Sequence, residues 1–380
     1  MKITIICDVL GQENNGTTIA AMNLIRSLKA KGHDVKVVCM DDEKKNLEGY
    51  YIVPELNLLF LNIIIHRNGV ALAKADKKIL YEAIKDTDIV HLELPFSLGK
   101  KSLEIARTLH KPVTASFHCQ AENFTVHLWL DRQEWANNLV YKHFYKNVYS
   151  KVDAIHYPTQ FIRDVFESRF GHTNGYVISN GVNTTFKRID CPKPQSLQGK
   201  FVILSTGRLC GEKKHDILMK GIANSKYKDK IHLIIAGKGP NYKKLLKLGN
   251  KLGISFEMNF YTRDELVQVI NYSDLYCHSA EVEIEAISCI EAISCGLVAL
   301  IADSKKSATR GFALDEKCLF KNGDYLDLAN KIDYWIEHYE EKEEYSKKYL
   351  QTAFSFDQDY CMEQMENMLI ETYKRYHNET

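Results

Sequence analysis

One pattern is written twice along this chain: an apolar strand, a loop, a helix, and another apolar strand. Residues 3–7, ITIIC, are apolar and rich in β-branched side chains, as a strand covered on both faces should be. The loop GQENNGTT (11–18) follows. Ala21, Leu24, Ile25 and Leu28 then recur at helical spacing, Gly32 closes the helix, and residues 35–40 form the next strand. This is a βαβ unit, which commits the chain to a parallel sheet with crossover helices. Further strands read at 88–92, 113–117, 154–157 and 176–179. Residues 187–200, KRIDCPKPQSLQGK, are polar with two prolines and a glycine, the composition of a hinge or linker. Beyond them the pattern restarts at 201–205, 232–236, 256–260, 275–278 and 298–301. The expected fold class is α/β, with two Rossmann-like parallel-sheet domains facing an interdomain cleft, a common place for a ligand. The 380 residues suit two domains.

Composition narrows the class further. The chain is 45% apolar and 26% charged, ordinary globular values that allow a sizeable core in each half. Fifty basic and 49 acidic residues leave a net charge of +1, so nothing demands a nucleic-acid partner. The ten cysteines are scattered and form no C-x-x-C pair; Cys7, Cys39, Cys277, Cys289 and Cys295 lie in apolar runs. They read as reduced core thiols in a reducing compartment. The opening MKITIICDVLG has one lysine and a short apolar run, a first strand rather than a secretory signal. The longest apolar stretch, 56–65, is interrupted by Asn57 and Asn62 and is too short to span a bilayer. The expected location is cytoplasmic, with peripheral attachment to the inner face of the membrane open.

Two segments carry candidate chemistry. Gly207-Arg208-Leu209-Cys210-Gly211-Glu212-Lys213-Lys214 falls between a strand and a helix, and in open α/β sheets ligands bind beyond the carboxyl ends of strands. Arg208 offers a planar fork of donors and Lys213 a point charge, which suits a diphosphate. A solvated basic loop is the alternative. The second segment is Glu283 to Gly296, EIEAISCIEAISCG. Its helix start presents free N–H groups to a phosphate or sugar hydroxyl. Glu283 and Glu291 can accept hydrogen bonds from vicinal hydroxyls. Acids in a helix's first turn favoured by the macrodipole would explain Glu283 and Glu285. They explain Glu291 less well, since Ile290, Ala292 and Ile293 imply burial and hence a partner.

Taken together these segments resemble the retaining glycosyltransferases of family four, which have the GT-B fold. The Gly16 loop, DIVHLELPFSLG (88–99), ASFHC (115–119), VDAIHYPTQFIRD (152–164), ISNGVNTTF (178–186) and IAGKGP (235–240) fit the same family in the same order. The resemblance implies an N-terminal acceptor-binding domain over 1–186, with a C-terminal helix over 355–380 packing back on it. It implies a donor-binding domain over 187–354. Arg208 and Lys213 would bind the donor diphosphate, and Glu291 the ribose hydroxyls. Glu283 would bind the transferred sugar, with backbone N–H groups of Ile284, Glu285, Ala286 and Ile287 touching sugar and phosphate. Gly16 and Gly237 would belong to the nucleotide-sugar site, Gly16 by letting backbone approach the phosphates. His118 would lie across the cleft, near the reacting carbon and the sugar's O6. Read without the family, His118 is a satisfied histidine at a strand end. One departure stands out: the family's Gly-Phe-Gly after the first glutamate is Ile284-Glu285-Ala286 here.

The implied reaction breaks the donor's C1–O bond while negative charge gathers on the leaving diphosphate. Catalysis is then positioning plus charge stabilisation, with the leaving phosphate helping to deprotonate the acceptor. No cofactor is required and no metal is expected; Asp357-Gln358-Asp359 reads as acids at a helix start. The donor would be a nucleotide-sugar, most often a UDP-hexose such as UDP-glucose or UDP-galactose. SFHCQAEN (116–123) and SATRGFALDEKCLF (307–320) resemble a subgroup that glycosylates lipids such as diacylglycerol or ceramide. The segment 129–151 interleaves Trp129, Trp135, Tyr141, Phe144, Tyr145 and Tyr149 with Arg132, Lys142, His143, Lys146 and Lys151. That suits either an anionic membrane interface or core packing with a basic solvent face. The competing readings are a transferase for a surface polysaccharide or soluble acceptor, a sugar-nucleotide epimerase, and a non-catalytic nucleotide-sugar-binding module.

Overall fold

The computed structural model describes residues 1–8, 10, 16–57, 71–125 and 133–379. Parts of the loop at 11–18 and of the apolar run at 56–65, together with Trp129 and Arg132, lie outside them. The chain forms two compact units, one of Met1–Gly181 with Asp359–Thr380, the other of Val182–Gln358.

The first unit is built on a seven-stranded sheet of β1 (Lys2–Ile6), β2 (Asp34–Cys39), β3 (Tyr50–Ile52), β4 (Ile89–Leu92), β5 (Val113–Ser116), β6 (Ala154–Tyr157) and β7 (Gly175–Val177). Its order is β3-β2-β1-β4-β5-β6-β7, and every pairing is parallel. The central strands are apolar because both faces are covered. Ile3, Ile5, Val37, Val38 and Ile89 are fully buried. The order reverses between β1 and β4, and that switch point is where such sheets open a ligand crevice.

The helix Gln358–His377 lays Met362, Met365, Met368 and Leu369 into the same core as Ile5, Leu24 and Val37. Glu366 on that helix meets Lys31 and His33 from the first unit, at 2.5 and 2.6 Å.

A second core in this unit is aromatic. Phe117 packs on Tyr149, Tyr157 and Phe166 with centroids 4.8, 5.6 and 4.9 Å away. Tyr141, Phe144 and Tyr149 are buried, so much of the aromatic–basic segment is core. On the helix Glu134–Asn147 the solvent side nevertheless carries Trp135 and Leu139, each 59% exposed, beside exposed Lys142, His143 and Lys146.

The second unit has a six-stranded parallel sheet of β8 (Phe201–Thr206), β9 (Ile231–Ala236), β10 (Ser255–Asn259), β11 (Leu275–His278), β12 (Ala299–Asp303) and β13 (Leu319–Lys321). The order is β10-β9-β8-β11-β12-β13, so its switch point lies between β8 and β11. The segment 187–200 is not a free tether. Leu197 is buried, Lys193 pairs with Asp274, and the Ile189 N–H donates to Asn271 Oδ1 at 2.8 Å.

Candidate active site

In the second unit the two sequence segments that carry charge emerge beside each other, one after β8 and one after β11, at the switch point. Three loops hold the first segment rigidly. The Gly207 N–H donates to the Ala236 carbonyl at 3.0 Å, the Leu209 N–H to Lys238 at 2.9 Å, and the Gly237 N–H to Asn259 at 2.8 Å. Gly207 has φ +138°, open only to glycine. At Gly237 a Cβ would sit 1.9 Å from the Gly207 carbonyl oxygen, so this glycine lets two backbones touch. The fit seen for Gly237 is packing of the loop that carries Arg208 and Lys213.

A short 3-10 turn, Gly211–Lys213, then aims Lys213 inward. Ser279 Oγ donates to the Lys213 carbonyl at 2.8 Å, and the Glu281 N–H donates to the Glu212 carbonyl at 2.9 Å. These bonds stitch the loop after β8 to the loop after β11. Lys213 Nζ reaches the Glu283 carboxylate, and both side chains are 14% exposed. Burial opposes charge on each. The pairing overrides it, holding the Glu283 carboxyl well below the usual range and the Lys213 ammonium above its own. Both are therefore ionised at neutral pH. His278, at the end of β11, brings Nε2 to 3.3 Å from Glu283 Oε1, and burial pushes its imidazole down. Nothing in the sequence marked His278, since a histidine closing a buried strand is ordinary. His215, at the start of the next helix, is pushed down to about 4 by burial and by the charge of Lys213, so it stays neutral.

Arg208 is 47% exposed and sets Nη2 3.1 Å from Glu212 Oε1. The backbone of Glu283 is clamped by the Ala308 N–H, which donates to its carbonyl at 2.9 Å. Glu285 is buried, 4% exposed, so it is not a solvated acid of a first helical turn. Ala286 has φ +60° and ψ +68° and leads directly into the helix Ile287–Ser294. The chain thus keeps a left-handed residue ahead of that helix, with alanine where the family has its second glycine. An alanine there is strained by about 1–2 kcal/mol. We expect Ala286→Gly to leave stability within about 1 kcal/mol of wild type, since relief of strain offsets backbone entropy. Ala286→Val should cost roughly 2 kcal/mol or more by urea unfolding, because a β-branched side chain is excluded from this region.

At the helix start, the N–H of Ile287 takes no backbone acceptor among the described residues. Glu291 lies further along the same helix and is half-buried. Burial raises its carboxyl to about 7, with the charge of Arg263 opposing. The partner expected from its apolar neighbours is the charge of Arg263; no ion pair to Glu291 forms among the described residues. Of the sequence candidates, Lys213 and Glu283 therefore touch. Arg208 lies on the same loop turned toward Glu212.

His118 and Gly16 belong to the first unit. Gly16 is the exposed first residue of the helix Gly16–Ala30, and residues 11–15 before it are outside the described chain. His118 follows β5, is 8% exposed, and sets Nε2 3.0 Å from Glu93 Oε2.

Two family models match the chain in succession. "Glycosyltransferase Family 4" covers residues 14–186, and "Glycosyl transferases group 1" covers 187–351. The chain belongs to glycosyltransferase family 4. This glycosyltransferase is 23% identical over 321 residues to an "Alpha-monoglucosyldiacylglycerol synthase" of Streptococcus pneumoniae, covering 78% of the chain and 70% of that protein. It is 43% identical to the catalytic domain of a cholesterol-alpha-glucosyltransferase from Helicobacter pylori, over 41% of the chain and 99% of that domain, with a TM-score of 0.39. An Anabaena protein, HepE, crystallised with UDP and glucose, superposes with a TM-score of 0.76 at 15% identity, over 98% of the chain and 100% of that structure. The two-sheet architecture is thus the GT-B fold, and the protein is a hexosyltransferase that uses a nucleotide-sugar donor. No helix among the described residues is long and apolar enough to cross a membrane.

Proposed function

We propose that this glycosyltransferase moves a hexose, glucose or galactose, with retention from a UDP-linked donor to a membrane lipid such as diacylglycerol or ceramide. The observation that carries the donor half is the Lys213–Glu283 pair at the β8/β11 switch point. A cation and a carboxylate are held together where a sugar diphosphate is expected to lie. Lys213, with Arg208 on the same loop, neutralises the leaving diphosphate. The helix start at Ile287 adds its dipole. Glu283 binds the hexose hydroxyls, Glu291 the ribose, and His118 the sugar's O6. The first unit takes the acceptor. The lipid is supported by the name of the pneumococcal relative and by the exposed Trp135, Leu139, Lys142 and Lys146 on one helix. Such a face sits well at an anionic interface, aromatic and aliphatic side chains in the headgroups and lysines on phosphate. On this reading the enzyme works peripherally at the inner face of the membrane.

The test is a panel of UDP- and GDP-hexoses, each incubated with the purified protein and with vesicles of diacylglycerol, ceramide or sterol in anionic lipid. Free glycans serve as the other arm. Mass spectrometry should find a lipid-linked hexose. Product only with soluble glycans would overturn the lipid reading, and conversion of donor without acceptor would favour an epimerase.

The ribose role of Glu291 has its own signature. A carboxyl raised to about 7 is largely protonated at pH 6 and ionised at pH 8. Only the ionised form accepts a hydrogen bond from both vicinal hydroxyls without supplying a competing donor. UDP affinity by calorimetry should therefore strengthen several-fold from pH 6 to 8, and the slope should vanish in Glu291→Gln. A flat wild-type profile would count against ribose contact.

A further inference from the structure

Beneath His118 lies a polar layer inside the first unit that the donor chemistry does not use. Its members are His91 on β4, Glu93 just after it, Thr114 and Ser116 on β5, and His156 on β6. All are buried to within 1% exposure. His156 Nε2 is 2.7 Å from the Ile178 carbonyl, which only accepts, so Nε2 carries the His156 proton. Its Nδ1 then accepts from the Ser116 hydroxyl at 2.8 Å. Ser116 Oγ in turn accepts from His91 Nε2–H at 2.9 Å, and His91 Nδ1 accepts from Thr114 at 2.8 Å. Both histidines are thus committed through both nitrogens, and burial keeps each neutral.

Glu93 is left without an aligned hydrogen bond to either oxygen among the described residues. Burial favours its neutral form, yet His118, which faces it, holds it below the usual carboxylate range. A buried carboxylate accepts only, and its nearest uncommitted N–H is His118 Nε2, 3.0 Å away. His118 Nδ1 has no partner among the described residues. We propose that Glu93 is a positioning residue that pins the proton of His118 on Nε2 and leaves Nδ1 as the atom presented to substrate. In that tautomer His118 Nδ1 accepts a hydrogen bond from a sugar hydroxyl. That enriches the hydroxyl oxygen in electron density as positive charge grows on the ring. The functional half of this inference rests on the reading of His118 as a sugar contact; the tautomer half does not.

The test labels the full chain with 15N-histidine and reads the His118 tautomer by long-range 1H–15N correlation, assigned with His118→Ala. The wild type should show Nε2–H. Glu93→Asp should retain it, and Glu93→Gln should redistribute the proton toward Nδ1. With UDP-glucose and diacylglycerol vesicles, Glu93→Gln should lose about 10–100-fold in kcat, as outer partners of working histidines do, with donor KM little changed. Adding Glu93→Gln to His118→Ala should cause no further loss. An Nδ1–H tautomer in the wild type, or an unchanged tautomer in Glu93→Gln, overturns the proposal. If Glu93→Gln fails to fold, the wild-type and Glu93→Asp spectra decide it. A shifted tautomer with wild-type transfer by His118→Ala upholds the positioning and removes His118 from the sugar.

Discussion

Lys213→Ala is expected to lower kcat by about 10²–10³-fold, the usual loss when a preorganised charge partner of a developing anion is removed. The diphosphate leaves with more negative charge than it had in the donor, so the loss should appear in kcat more than in KM. The same change should also cost stability, because the buried Glu283 carboxyl loses the partner that offset its burial. Breaking a buried pair from one side typically costs about 3–5 kcal/mol. The double variant Lys213→Ala/Glu283→Gln separates the two effects. Removing the stranded carboxyl should return most of the stability without returning turnover. Urea unfolding and steady-state transfer, measured on the three proteins, test this directly. A single variant that turns over within about threefold of wild type would remove Lys213 from the leaving-group role.

Gly237→Ala should be nearly as damaging, though it touches no charge. A methyl group there would lie 1.9 Å from the Gly207 carbonyl oxygen and 2.9 Å from its carbon. Overpacking costs about 1–3 kcal/mol when flexible side chains can move aside. Here the obstacle is backbone at both ends, so we expect about 3 kcal/mol or more. At roughly 2–4 °C per kcal/mol for a unit of this size, the Tm should fall by about 6–12 °C. Because the displaced loop carries Arg208 and Lys213, UDP affinity should weaken at least tenfold, on the order of 1.4 kcal/mol. A Tm unchanged within about a degree, read by differential scanning fluorimetry, would show that the loops after β8 and β9 part easily. Gly239 offers a parallel test, since its Cβ would meet Leu209 backbone at 2.6 Å.

The parallel strands were legible in the sequence because full burial leaves a continuous β-branched run, as in β1, β8 and β9. The edge strands β3 and β13 were not. Three residues, YYI or LFK, are too short for periodicity to separate from a turn. Meeting of Lys213 with Glu283 followed from two recognisable segments at strand ends. Glu93 did not, because one acid after an apolar strand looks like a solvated loop until β5 and β6 bring His118 and His156 to join His91 around it. The aromatic–basic helix shows the opposite limit: the pattern held both readings at once, and the structure divides them residue by residue. Tyr141 and Phe144 turn inward while Trp135 and Leu139 stay in water. At Ala286 the sequence departs from the family's glycine, and the structure sets a left-handed turn there with a residue poorly suited to it.

The return of Gln358–His377 to the first unit has a consequence for biogenesis. The ribosome delivers Ile5, Leu24 and Val37 long before the methionines that cover them. Through the whole synthesis of residues 182–358 the nascent first unit must carry an open apolar seam. The second unit is contiguous in the chain and can close as soon as it emerges. The order of maturation is therefore reversed relative to the order of synthesis, and the seam is a natural place for a chaperone to wait.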